Sequence, residues 1–194
     1  MPLRPLSDHR AVLALGSNLG ESESTIERAV VDLREAGMRI LRVSPLYRTA
    51  PVGGPAGQPD YVNAVIEVST SLRPYELLKL CNAVEAAHHR ERLVRWGPRT
   101  LDIDVIDYEG VVSDDPVLTL PHPRAHERSF VLTPWARMDP EAHLLVARSD
   151  ESSGTVNYVP VSVAELSRDL NLTHEDAGED AIRYIREMNL PGAL

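Results

Sequence analysis

One cysteine, one phenylalanine and two tryptophans in 194 residues leave few specialised side chains to account for. A single thiol, Cys81, cannot close an internal disulfide. Its place in the apolar helical pattern Leu77, Leu78, Cys81, Val84 reads as core packing rather than as a reactive group. No apolar run is long enough to span a bilayer and no secretory h-region is recognisable, so a reducing cytoplasm is the expected compartment. An excess of positive charge is also missing. The formal charge of −9 argues against nucleic acid and anionic membranes as partners, because both are held by clustered Lys and Arg. Familiar nucleotide motifs are absent as well. The turn Gly16-Ser17-Asn18-Leu19-Gly20 has no Gly-Lys-Ser/Thr after it and lacks the three-glycine dinucleotide pattern, so it reads as a tight strand-to-helix connection. Neither kinase catalytic-loop signatures nor internal repeats nor low-complexity tracts are found.

The charge that is present is unevenly spread. Residues 139–194 hold 11 acidic and 4 basic residues, so −7 of the −9 sits there. In the body, Arg90, Arg92, Arg95 and Arg99 against Glu91 form one concentrated positive segment, suited to a small polyphosphate. Around it the patterning predicts an ordered series of elements. A short buried strand covers 11–15, and a helix opens at the capping box Ser24/Glu27 and closes at Gly37. One strand is expected over 40–47 and an alternating strand over 61–70, separated by a loop, 49–60, with three prolines and three glycines. A helix from Pro74 to about His89 and a strand over 101–108 follow, then an extended proline-bounded segment at 116–123. The pattern ends in a short helix over 129–138 interrupted near Pro134 and two terminal helices over 159–170 and 180–190, the first with a Ser162/Glu165 capping box. The order βαββαβ implies an α+β fold with a largely antiparallel sheet and helices packed on it.

In the strand at 101–108, Asp102 and Asp104 project from one side while Leu101, Ile103 and Val105 project from the other. Two carboxylates a few ångströms apart repel unless a cation lies beside them, and magnesium takes one or two carboxylates, completing its shell with water and phosphate oxygens. Alone, an Asp-x-Asp pair is more often solvated or paired with nearby arginines. The arginine segment just upstream favours the other reading, since phosphoryl transfer needs both metal and cationic donors.

Five strings carry a resemblance: Leu15-Gly16-Ser17-Asn18-Leu19-Gly20; Tyr47-Arg48-Thr49-Ala50-Pro51; Pro59-Asp60-Tyr61-Val62-Asn63-Ala64; Arg95-Trp96-Gly97-Pro98-Arg99-Thr100-Leu101-Asp102-Ile103-Asp104; and Pro121-His122-Pro123-Arg124 with Arg128-Ser129-Phe130-Val131-Leu132. In this order and spacing, from about Val12 to Leu145, the chain resembles 6-hydroxymethyl-7,8-dihydropterin pyrophosphokinases, enzymes of folate synthesis. The resemblance implies a three-layer αβα, ferredoxin-like core and transfer of pyrophosphate from ATP to the hydroxymethyl-dihydropterin, releasing AMP. It implies two Mg²⁺ ions on Asp102 and Asp104, with Arg90, Arg92 and Arg99 gripping the phosphates. Glu85, Trp96, Ile103, Thr119, His122 and Arg128 would also meet the nucleotide. Tyr61 and Phe130 would sandwich the pterin, Asn63 would bind its polar edge, Thr49 and Val52 would contact it through the main chain, and Trp96 would close over the site. A flat heteroaromatic ring is well held by stacking plus an amide that both donates and accepts, which suits Tyr61, Phe130 and Asn63 independently.

The resemblance further implies a monomer, and too little chain lies outside the match to expect a fused second folate enzyme. Residues 1–10 are expected to be a leader, 11–160 the pyrophosphokinase domain and 161–194 a C-terminal helical appendage. The loops 49–60 and 90–100 are expected to order when ATP binds. No residue stands out as a general base. Relative to the family pattern, the stretch between Arg92 and Trp96 is one residue shorter, Ala50 stands where proline is frequent, and the segment after about Glu175 has no counterpart. Two other classes fit the Asp-x-Asp pair or the scaffold: a different metal-dependent transferase, for example on a sugar nucleotide, and a noncatalytic ligand-sensing module.

Overall fold

The computed structural model describes residues 8–51, 57–88, 100–150, 152, 154–173 and 182–192. Its first strand, β1 (His9–Ser17), begins inside the expected leader. Leu13 and Leu15 are buried on one of its faces and Val12 on the other. Burial on both faces is why its sequence is a continuous apolar run rather than an alternation. Helix α1 (Ser22–Glu35) starts ahead of the expected cap, with Glu21 in the cap position, so Ser24 lies within its first turn. It ends as expected at Gly37, whose φ of +96° suits a residue without a Cβ.

The strand expected over 40–47 is two strands, β2 (Arg39–Val43) and β3 (Leu46–Thr49). Pro45 cannot donate to a ladder, and the chain is held across the break by Ser44, whose N–H donates to Val65 O and whose Oγ accepts from Val65 N–H, both at 2.9 Å. Then come β4 (Tyr61–Thr70), α2 (Pro74–Ala87) and β5 (Asp102–Tyr108). Helix α3 (Ser129–Met138) runs through Pro134 without the expected interruption.

Two corrections concern the C-terminal part. Residues expected to open a helix at 159 instead complete a hairpin, β6 (His143–Asp150) with β7 (Thr155–Ser162), and α4 (Val163–Thr173) begins after it. The predicted cap survives, since Glu165 N–H donates to Ser162 Oγ at 3.3 Å. The helix expected over 180–190 is replaced by strand β8 (Arg183–Arg186), paired with the outer edge of β3. The last segment is therefore part of the main sheet rather than purely helical. Long-range pairing has overridden a local helical pattern, and Ile185, Met188 and Leu190 pack against the core beside it.

The main sheet has the order β5-β1-β4-β3-β8, with β2 also on β4, and its recorded pairings are all antiparallel. Residues of α1 and α2 share one buried cluster with Leu13, Leu15, Ala64, Ile66 and Ile103. Residues of α3 and α4 share the other with Val12, Val65 and Ile106. This is the three-layer arrangement anticipated from sequence, and each fully buried Leu or Ile in it contributes about 2 kcal/mol of transfer free energy. Cys81 is one of the buried residues, and burial pushes its thiol up to about 12, consistent with a packing role. No helix among the described residues is long and apolar enough to cross a membrane.

Candidate active site

Sheet register, more than any single element, builds the site. Gly16 on β1 pairs with Asp102 of β5 on one side and with Asn63 of β4 on the other, and Asn63 pairs in turn with Tyr47 of β3. Directly paired residues share a face, so Asp102, Gly16, Asn63 and Tyr47 form one row across four strands. Asp104, opposite Ala14, lies in the next row. Ile103 and Val105 pack in the α1/α2 cluster, which leaves both aspartates on the α3/α4 side, as alternation predicts.

The glycine in this row matters by what it omits. A Cβ there would come within 3.4 Å of Asn63 Oδ1 and 3.8 Å of Tyr61 Cδ1. Its bare backbone is the floor between the carboxylates and the amide. Asn63 is buried, and its Nδ2 donates to Thr49 Oγ1 at 2.9 Å, which turns Oδ1 over Gly16. Asn18, also buried, donates through Nδ2 to Pro59 O at 3.1 Å, tying the turn after β1 to the segment that delivers Tyr61. By sequence pattern residues 16–20 are only a tight turn, and neither role has a local signature. Their signal was their inclusion in the first of the five strings.

On the acidic side, Arg128 lies immediately before α3. Its Nη1 is 3.5 Å from Asp104 Oδ2, and its Cζ lies 5.4 Å from the centre of the Phe130 ring. One guanidinium thus links the carboxylates to an expected pterin contact. Glu85 lies elsewhere than in the row. It is buried, and its Oε1 accepts from Ile103 N–H at 2.7 Å. Among the described residues β5 pairs as a strand with β1 alone, so this N–H would otherwise face away from the ladder. Glu85 thereby fixes the backbone between the two aspartates. Thr119, in the segment after β5, donates its hydroxyl to Asp115 O at 3.0 Å.

His122 is anchored to β5 through its N–H, which donates to Ile106 O at 2.8 Å, while its Nδ1 accepts from Arg124 N–H at 3.2 Å. That bond assigns the proton of the neutral ring to Nε2. Burial, followed by the charge of Arg128, lowers its pKa to about 4, with Asp102 acting weakly the other way. His122 is accordingly a neutral N–H donor near neutral pH. An unfolded chain takes up this proton as pH falls through about 6.5, whereas the folded one holds it off until about 4, so folding stability drops across that interval. Thermal midpoints between pH 4 and 7.5 are expected to fall more steeply for the parent than for His122→Asn; parallel curves would contradict this.

Arg90, Arg92, Trp96, Arg99 and Val52, along with the rest of 52–56 and 90–99 in the two loops, lie outside the described residues. Among the described residues no group of three or more His, Cys, Asp or Glu side chains is arranged to hold a metal ion. The donor set at Asp102 and Asp104 is two hard carboxylate oxygen groups. It fits magnesium sharing its shell with phosphate and water, and does not make an all-protein cage.

The chain is similar to known proteins over most of its length. It is 44% identical over 133 residues to a 2-amino-4-hydroxy-6-hydroxymethyldihydropteridine pyrophosphokinase of Methylorubrum extorquens, covering 68% of this chain and 84% of that protein. The protein of the same name from Bacillus subtilis is 42% identical over 129 residues, 66% of this chain and 77% of its own length. A crystal structure of Plasmodium falciparum HPPK-DHPS A437G with pteroate shares the fold, with a TM-score of 0.63 at 14% identity over 95% of this chain and 50% of the longer polypeptide. With the sequence model of the 7,8-dihydro-6-hydroxymethylpterin-pyrophosphokinase family matching residues 12–140, which include the whole Asp102–Gly16–Asn63 row, the chain belongs to that family.

Proposed function

We infer that the chain transfers the pyrophosphoryl group of ATP to the hydroxymethyl oxygen of 6-hydroxymethyl-7,8-dihydropterin, releasing AMP in folate biosynthesis. The observation that carries the reading is the in-register row in which Asp102, with Asp104 one row on, and a buried amide flank a glycine floor. One end suits a metal-bound polyphosphate and the other a flat polar heterocycle, at a spacing set by adjacent strands, about 5 Å each.

The hydroxymethyl oxygen attacks the β-phosphorus in line. A new O–P bond forms as the bond from the β-phosphorus to the α,β-bridging oxygen breaks, AMP leaves with that oxygen, and the hydroxyl proton is released to solvent. Asp102 and Asp104 would hold two magnesium ions, whose chemistry is to offset charge on the phosphate oxygens. Arg90, Arg92 and Arg99 are assigned to the phosphates by their motif positions. His122 donates from Nε2 without adding charge, and Arg128 joins the nucleotide side to Phe130. Tyr61 and Phe130 hold the ring, while Asn63 and Thr49 read its edge. Glu85 and Ile103 act through the strand that carries the aspartates. Rate enhancement then comes from alignment of two bound substrates rather than from a strong base. A monomer in the cytoplasm completes the proposal, the single cysteine being buried and unpaired with another.

Incubation with ATP, Mg²⁺ and the hydroxymethyl-dihydropterin is expected to release AMP and a pyrophosphorylated pterin in equal amounts. Release of ADP would indicate a single-phosphoryl kinase, and no pterin-dependent AMP would return the sugar-nucleotide transferase and the sensing module to consideration.

A further inference from the structure

Strand β8 lies beyond residues 12–140 and joins the sheet on the side where the pterin end of the site is built. Its register sets Tyr184 opposite Tyr47 and Arg183 opposite Arg48, which extends the row of Asp102, Gly16, Asn63 and Tyr47 by one more strand. The Tyr184 ring stands edge-on to Tyr47 at 6.0 Å between centroids and 82° between planes. Arg183 Nη2 lies 3.4 Å from a carboxylate oxygen of Asp60, the residue just before Tyr61. The far side of the same segment is fastened to α1. Arg186 bonds Glu23 at 2.9 Å and Glu27 at 2.6 Å, and Asn189 N–H donates to Glu27.

We propose that β8 is a brace for the pterin-binding end of the site, with Tyr184 and Arg183 as positioning residues that act through Tyr47 and Asp60. The proposal rests on the assignment of Thr49, Tyr61 and Asn63 to the pterin. The argument is one of leverage. β3 is only four residues long, and it carries Thr49, the partner of Asn63. Without β8 its outer backbone groups would have no ladder, and a short edge strand frays readily. With β8 it is held from α1 on one side and β4 on the other. Asp60 and Tyr47, at the base of the Tyr61 and Asn63 positions, are each gripped by a β8 side chain. Such order set in advance lowers the loss of freedom on binding the ring, and it does nothing for the phosphate end across Gly16.

Full-length Tyr184→Ala, Tyr184→Phe, Arg183→Ala and Asn63→Ala are compared by steady-state kinetics with each substrate varied, and by thermal midpoint. Tyr184 is exposed over 56% of its surface, so its truncation is compatible with folding. Loss of one aromatic pair is expected to raise KM for the pterin about five-fold, with KM for ATP and kcat close to the parent. Tyr184→Phe keeps the ring and should behave as the parent. Arg183→Ala should raise the pterin KM less, about two-fold, as an exposed ion pair warrants. An unchanged pterin KM in Tyr184→Ala overturns the brace, and so does an equal change in both substrates accompanied by a lowered midpoint, which marks a merely structural role. Asn63→Ala separates the two levels: if that variant too leaves the pterin KM unchanged, the assignment of the pterin end is what fails.

Discussion

Asp102→Asn and Asp104→Asn, made singly, are each expected to lower kcat by about 10³-fold or more while the chain stays folded, because on the proposed reading the magnesium ions would lose one of their two carboxylate holders. Asparagine keeps the volume and removes the charge. Both side chains are half-buried beside one another on β5, so neutralising either also relieves their mutual repulsion, and the thermal midpoint should hold or rise. Asp104 additionally meets Arg128 at 3.5 Å, and its replacement leaves that guanidinium with less negative charge nearby. Asp104→Asn should therefore weaken ATP binding less than it slows turnover. AMP release measured across a wide range of Mg²⁺ is the test. Near-parental turnover in either variant would remove the acidic pair from the chemistry.

Gly16→Val is expected to give an enzyme that folds at least as well as the parent and turns over at least about 100-fold more slowly, since reacting groups displaced by an ångström lose that much. The position is extended strand, where a β-branched residue is favoured over glycine. Its first side-chain carbon would meet only Asn63 Oδ1 at 3.4 Å and Tyr61 Cδ1 at 3.8 Å, contacts that a small adjustment accommodates. The added methyl groups occupy the floor between carboxylates and amide, so both substrates should bind less well together than apart. Binding of a nucleotide analogue alone and of the pterin alone, followed by the pair, reads this directly. A well-folded Gly16→Val enzyme with parental activity would mean that the substrates do not cross this row.

What the sequence disclosed about the site depended on strand alternation and motif order. Asp102 and Asp104 were legible because a period of two puts them together whatever they pair with, and their neighbours Ile103 and Val105 had to face a core. Asn63 was legible by likeness, but its bond to Thr49 depends on β3 pairing with β4, and Pro45 hid β3 by breaking what looked like one strand. Glu85 was expected at the nucleotide; its hydrogen bond to Ile103 N–H needs α2 to lie beside β5, a tertiary fact with no local signature. β8 was misjudged for the same reason. Arg183-Tyr184-Ile185-Arg186 lies in a locally helical pattern, and pairing with the outer edge of β3 makes it a strand.

The position of β1 between β5 and β4 has a kinetic meaning. Both of its neighbours come from far along the chain, roughly fifty residues away for Asn63 and ninety for Asp102, and closing such loops costs entropy before any contact repays it. The two halves of the catalytic row therefore cannot form in a nascent fragment that lacks β5, and competence for chemistry arrives together with global folding instead of being assembled piece by piece during synthesis.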